Sequence, residues 1–232
     1  DVFSAEDEIA VLNDEGETQS TNVKSVELDT HSCKMQFIYG LDSAWLNGLS
    51  LNVTYEDETT ATVTFQDNNY VVNDVYNHTF RYTIADENEY EHYPWETLEK
   101  DKKYHLVVYQ ENSIVEQQDI STIGIEESED FRSTSLNVGL NSDVASPING
   151  QAYYKFTALA DDFYDIAADP YCGSYEIYRE TEKGYERVAG DCWNLKAGQS
   201  LYFKFFDGVW IDDEYSENVN VCIEKGSKSI DS

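Results

Sequence analysis

The residues most suggestive of chemistry lie in one stretch, Asp207-Gly208-Val209-Trp210-Ile211-Asp212-Asp213-Glu214-Tyr215. Calcium takes about six to eight oxygens from carboxylates and carbonyls on a bent backbone. Asp207, Asp212, Asp213 and Glu214 supply carboxylates around a glycine. Their order is not that of an EF-hand, and a solvated acidic loop is the competing reading. A second run, Glu126-Glu127-Ser128-Glu129-Asp130, could gather around the same ion. Asp161, Asp162, Asp165 and Asp169 form a further group, but Asp165 and Asp169 flank a strand and are expected to face solvent. No C-x-x-C pair or histidine cluster suits a softer metal. If there is a metal cofactor, calcium is the one to expect.

The aromatics are the second set of candidates. Trp95, Trp193, Trp210 and Tyr215 fall in loop-like sequence, where an exposed ring can stack on a sugar or anchor a binding patch. The alternative for each is a loop pinned onto its own domain. Trp45 precedes a strongly alternating segment and is expected in the core.

Catalytic arrangements are not found. His31, His78, His92 and His105 are scattered. There is no H-E-x-x-H, no G-x-S-x-G elbow and no phosphate loop. Carboxylate pairs are so common here that they carry no information, so no catalytic residues are assigned and the chain is not expected to be an enzyme. Of the four cysteines, Cys172 (DPYCG) and Cys192 (GDCWN) lie in loop-like contexts and are the expected disulfide. Closing that loop would stabilise by about 3 kcal/mol in the chain-entropy picture. Cys33 and Cys222 lie in strand-like segments and are expected as buried free thiols.

Charge narrows the partners. A net charge of −31, from 46 acidic and 15 basic residues, argues against nucleic acid and against anionic membrane surfaces. No apolar run approaches the roughly 20 residues of a membrane span. An aromatic share of 14%, with 18 tyrosines, speaks for folded domains rather than an acidic disordered chain. The start at Asp1, with Met35 as the only methionine, has the look of a processed product, and DVFSAEDE is expected to lie just beyond a removed signal peptide. A secreted or cell-surface location follows as an expectation.

The elements that must position these residues are strands. In Leu46–Phe65, Leu49, Leu51, Val53 and Tyr55 alternate with Ser50, Asn52, Thr54 and Glu56, then Ala61, Val63 and Phe65 with Thr62 and Thr64. Side chains alternate across a strand, so this is a hairpin with one buried face. Similar strands recur over residues 23–126, at Val23–Leu28, Lys34–Tyr39, Tyr70–Val72, His78–Ile84, Lys103–Tyr109 and Ser113–Ile123. Pro94 blocks a central strand in the irregular piece between the fourth and fifth of these. Residues 1–22 read as an acidic leader, with Ile9–Leu12 the one segment able to add an edge strand.

The series Leu46-x-Gly48-Leu49-x-Leu51-x-Val53-x-Tyr55-x-Asp57-x-Thr59 resembles the signature hairpin of bacterial immunoglobulin-like domains. It departs from that family at Glu58, where Gly is usual, so the turn is expected to differ. Residues 127–133 read as an acidic linker, and 134–232 as a second domain with strands such as Ala152–Thr157, Phe163–Ala168 and Ser200–Phe206. The blocks LNVGLN, GQAYYKFTA, YDIA and LKAGQSLYFKF resemble the bacterial pre-peptidase C-terminal domain, a compact jelly-roll-like β-sandwich. The resemblances imply an all-β chain of two tandem antiparallel β-sandwiches. They also imply a non-catalytic binding or spacer module of an extracellular protein, adhering to a host or neighbouring macromolecule, either a glycan or a matrix or surface protein. The alternative is a carbohydrate-binding accessory region of a secreted hydrolase. An exposed aromatic platform would favour sugar.

Overall fold

A computed structural model describes residues 11–12, 18–19, 21–168, 174–190, 192–211 and 214–226. The chain is all-β, and among the described residues the helical element is a single 3₁₀ turn, Ile125–Glu127. It divides into two compact units. One comprises the residues up to Phe37 with Asp42–Thr122, the other Ile38–Leu41 with Ile123–Ser232.

The first unit opens with β1 (Val11–Leu12) and β2 (Thr18–Gln19), which pair only with each other. Two sheets follow. β3 (Val23–Asp29), β5 (Ser50–Tyr55) and β6 (Thr60–Thr64) form one, and β4 (Gln36–Ile38) enters the other. That second sheet has the order β4-β11-β10-β8-β7, built from β7 (Val71–Asn73), β8 (Thr79–Asp86), β10 (Tyr104–Gln110) and β11 (Ser113–Ile123). The short strand β9 (Glu91–His92) pairs with β8 alone. The alternation read from the sequence explains the packing. Leu51, Val53 and Val63 from the three-stranded sheet share one core with Phe80, Tyr82, Ile84, Leu106 and Val108 from the other. Burying each such side chain contributes about 1.5–3 kcal/mol.

The hairpin turn keeps the geometry that a glycine would give it. Glu58 takes φ +67°. The Asp57 carboxylate accepts from the Thr59 N–H at 2.9 Å and from its hydroxyl at 2.6 Å, and Glu58 itself pairs with Lys24. Trp45 is half-buried and lies outside the core cluster, a correction whose cause is the aromatic group it joins.

The second unit is a sandwich of two four-stranded antiparallel sheets. One has the order β12 (Gly139–Ala145), β21 (Asn218–Gly226), β14 (Asp162–Ala168), β17 (Cys192–Leu195). The other has the order β13 (Ala152–Thr157), β18 (Ser200–Phe206), β15 (Ser174–Glu180), β16 (Tyr185–Arg187). A separate hairpin joins β19 (Val209–Ile211) to β20 (Glu214–Ser216).

Strands AYYKFT and SLYFKFF read as apolar almost throughout because the β13-β18 sheet is covered on both faces. Phe156, Leu201, Phe203 and Phe205 fill the sandwich core, while Tyr153, Tyr178, Tyr185 and Tyr202 form a second cluster with Ile38 and Ile125. The segment Ile38–Leu41 is held there by close backbone approach. Tyr185 N–H donates to the Tyr39 carbonyl at 3.2 Å, the two tyrosine rings stack at 5.1 Å, and a Cβ on Gly40 would lie 2.6 Å from Tyr185 N.

The run Glu126–Asp130 belongs to this unit and is tied into it. Glu126 accepts from Lys155 at 2.6 Å and from the Tyr202 hydroxyl at 2.7 Å. Glu127 accepts from Gly124 N–H, and Asp130 from the Gln151 amide, at 2.8 and 2.9 Å. The lysine beside Glu126 holds that carboxyl below its ordinary range.

Candidate functional site

The first unit gathers aromatic rings beside the β8–β9 hairpin. Asp86, at the end of β8, builds the turn that follows. Its carboxylate accepts from Asn88 N–H at 2.8 Å and from Tyr90 N–H at 3.1 Å, and Glu89 takes φ +61°. The Asn88 N–H leads in holding the Asp86 carboxyl below its ordinary range. This turn delivers Tyr90, with 63% of its surface exposed, and the pair Glu91–His92. A second turn follows at once. Glu96 N–H donates to the Tyr93 carbonyl at 2.9 Å across Pro94-Trp95. Proline is favoured at the second position of such a turn because its fixed φ matches it.

That proline turn stacks Tyr93 on Trp95, with ring centroids 4.4 Å apart and planes 7° from parallel. Both rings are about half exposed, at 54% and 52%. Behind Trp95 lie Trp45 at 6.2 Å and the edge of Tyr70 at 5.9 Å. The stack is thus braced from beneath by two half-buried rings.

Polar groups stand beside the rings. Arg81 and Glu91 approach at 3.5 Å, Glu91 also accepts from the Tyr109 hydroxyl at 2.7 Å, and the Arg81 guanidinium lies 3.9 Å over the Tyr109 ring. His92 Nδ1 is 3.1 Å from Glu96, and its Nε2, 3.6 Å from Asp86, has no hydrogen-bond partner among the described residues. A small cleft of ≈ 200 Å³ runs between Tyr70, Arg81, Thr83, Tyr90, His92 and Tyr93. This is below the roughly 300–1,000 Å³ of pockets that enclose small ligands. The arrangement suits a ligand lying along the surface, its apolar faces on the rings and its hydroxyls toward Arg81 and Glu91.

The expected site residues are distributed as follows. Trp95 lies in this cluster, while Trp193 is in the other unit, partly buried against the sandwich core. Trp210 pairs through its backbone with Tyr215 across β19 and β20, its side chain lying outside the described residues. The Tyr215 hydroxyl donates to the Asp207 carbonyl. Asp207 is exposed with φ +68°. Asp212, Asp213 and the side chain of Glu214, expected as calcium ligands, lie outside the described residues. Among the described residues no three acidic, histidine or cysteine side chains converge as a metal site.

Cys172 lies outside the described residues, and the expected pairing with Cys192 falls there with it; Cys33 and Cys222 are unbridged. Cys33 sits in a turn, its N–H on the Thr30 carbonyl at 3.3 Å, rather than in the expected strand. Burial raises its thiol pKa.

Sequence reasoning weighed Trp95 singly and passed over Tyr90, Tyr93, Tyr70, Arg81 and Glu91. The signal was present in EYEHYPWE, where Pro94 separates two aromatics that its turn brings face to face. No family model, curated protein or solved structure matches the chain. No helix among the described residues is long and apolar enough to cross a membrane.

Proposed function

We propose that this chain is a non-catalytic, extracellular carbohydrate-binding module whose binding face is the Tyr90–Tyr93–Trp95 region of the first unit. The observation that carries the reading is the stacked, half-exposed Tyr93–Trp95 pair braced by Trp45 and Tyr70 beside an Arg81–Glu91 pair. Exposed rings of this size are costly to leave in water and are enriched where partners bind. Sugar rings offer flat C–H faces for such stacks and rims of hydroxyls for charged partners. The small volume of the cleft favours a chain-like glycan lying across the rings over an enclosed small molecule. The finer fold reading belongs here too: an immunoglobulin-like first sandwich, from the Leu49–Thr59 hairpin, and a pre-peptidase C-terminal-like second one. Adhesion to a neighbouring surface is the role such a module would serve, whether in a surface protein or beside a secreted hydrolase.

The test is a glycan and matrix-protein array with the soluble chain, followed by calorimetry on the best ligand. Tyr93→Ala and Trp95→Ala are each expected to weaken glycan binding by about 10- to 30-fold, the cost of truncating a hot-spot aromatic. Retention of proteins only, or glycan binding indifferent to both substitutions, would overturn the proposal.

A further inference from the structure

The second unit contains a cleft of ≈ 450 Å³, larger than the one in the first unit. It is lined from β13 by Lys155, from β15 by Arg179, from β17 by Trp193 and Asn194, and from β18 and the turn before it by Tyr202 and Gln199. Several of these groups already satisfy one another. Lys155 pairs with Glu126 at 2.6 Å, the Tyr202 hydroxyl donates to the same carboxylate, and the lysine lies 5.7 Å from the Tyr202 ring. This wall of the cleft is complete without a ligand.

The opposite holds for Arg179. It is exposed and makes no hydrogen bond or ion pair among the described residues. The other arginines all have acceptors: Arg81 with Glu91 at 3.5 Å, Arg187 with Glu176 at 3.2 Å, and Arg132 with the Glu129 carbonyl at 3.1 Å. Glu186 stands opposite Arg179 in the register of β15 and β16 and Glu180 lines the same cleft, yet among the described residues neither carboxylate bonds the guanidinium. Asn194 is exposed and its amide is likewise unengaged among the described residues. Gln199 uses its Oε1 to accept from Lys196 N–H at 2.8 Å, which leaves its NH₂ to donate. Trp193, half-buried against the core, lines the same wall with a fixed ring.

We infer that this cleft is a binding site for an acidic sugar residue, with the acid group on Arg179, ring hydroxyls on the Asn194 and Gln199 amides, and the sugar face against Trp193. The guanidinium presents a planar fork that matches carboxylate or sulfate oxygens two at a time. A net charge of −31 makes the surface repulsive to anions in general, so an anion that binds must do so through local geometry. The site shares no residue with the aromatic stack of the first unit, so each can fail alone.

The experiment is calorimetry on the whole chain with three probes: a galacturonate tetramer, its neutral methyl ester, and a sulfated galactose oligomer. The expected result is that at least one anionic probe binds and the methyl ester binds at least about 10-fold more weakly. Arg179→Gln should lower the affinity of the anionic probe by about 10- to 100-fold, the range for a lost charged hydrogen-bonding partner. Arg179→Lys should fall in between, since it keeps the charge and loses the fork. Asn194→Ala, an exposed change that spares the core, should weaken both charged and neutral probes alike. Binding of the sulfated oligomer alone would identify the acid as a sulfate ester at the same site. The inference is overturned if neither anionic probe binds at millimolar concentration, or if Arg179→Gln leaves the affinity unaltered.

Discussion

Asp74 is the residue on which the edge of the first unit's larger sheet depends. Its side chain is fully buried, and its two oxygens accept from the Tyr55 hydroxyl at 2.8 Å, the Tyr76 N–H at 2.8 Å, the His78 N–H at 2.9 Å and His78 Nδ1 at 2.8 Å. This pins the β7–β8 connection, and β8 carries Arg81 and Thr83 of the aromatic site. Asp74→Ala would strip the acceptor from all these donors at once. A charged hydrogen bond is worth about 1.5–3 kcal/mol, and the sum is less than additive because water reaches the half-buried backbone donors. A loss of about 3–5 kcal/mol is expected, the range for breaking a buried charged pair. Burial pushes the Asp74 carboxyl up, but the His78 and Tyr55 hydrogen bonds outweigh it and leave it below its ordinary value. Its contribution is therefore present above about pH 3.9, the unfolded value, and is lost as pH falls through the lower folded one. Asp74→Asn, which keeps the shape, should cost less and lack this acid limb. Hydrogen exchange read on β5 and β8 through a urea series reports the first unit alone. A cost below about 1 kcal/mol for Asp74→Ala would refute the reasoning.

Two further outcomes follow from local geometry. At Glu58, with φ +67°, Glu58→Val should destabilise by about 1–2 kcal/mol in urea unfolding while Glu58→Gly stays within about 0.5 kcal/mol, because a β-branched residue resists that conformation and glycine does not. Since the carboxylates of Glu126, Glu127 and Asp130 are already engaged, millimolar calcium and magnesium should shift the melting midpoint equally; a rise specific to calcium would direct attention to the Asp207–Glu214 loop.

Period-two alternation made the strands readable wherever one face is wet. Leu51 and Val53 are buried and Asn52 between them is exposed, as the hairpin's sequence requires. The rule weakens where both faces are covered. Tyr153 and Tyr154 are both buried, one in each of two clusters, and nothing in AYYKFT says that residues 38–41, more than a hundred positions earlier, provide the second cover. The same long-range docking moves Ile38–Leu41 out of the unit that surrounds them in sequence. It also turns Glu126–Asp130 from an expected linker into part of a packed body. Charge runs look alike in sequence whether they are solvated or bonded. Only the partners, here Lys155, Tyr202 and Gln151, distinguish the two.

The proposed binding faces were harder to read than the strands for a related reason. A tryptophan in a loop is equally consistent with a pinned loop and with an exposed platform, because the difference lies in its neighbours. For Trp95 those neighbours come from three places: Tyr93 across one proline, and Trp45 and Tyr70 from segments that only the β-sheet brings near. Bracing by Trp45 and Tyr70 means that the exposed ring is held before any ligand arrives, which lowers the ordering cost of binding. Arg179 shows the complementary case. Its chemistry is visible in sequence, but that its guanidinium bonds no partner among the described residues is a property of the fold, and this supports the proposed role toward an acidic ligand.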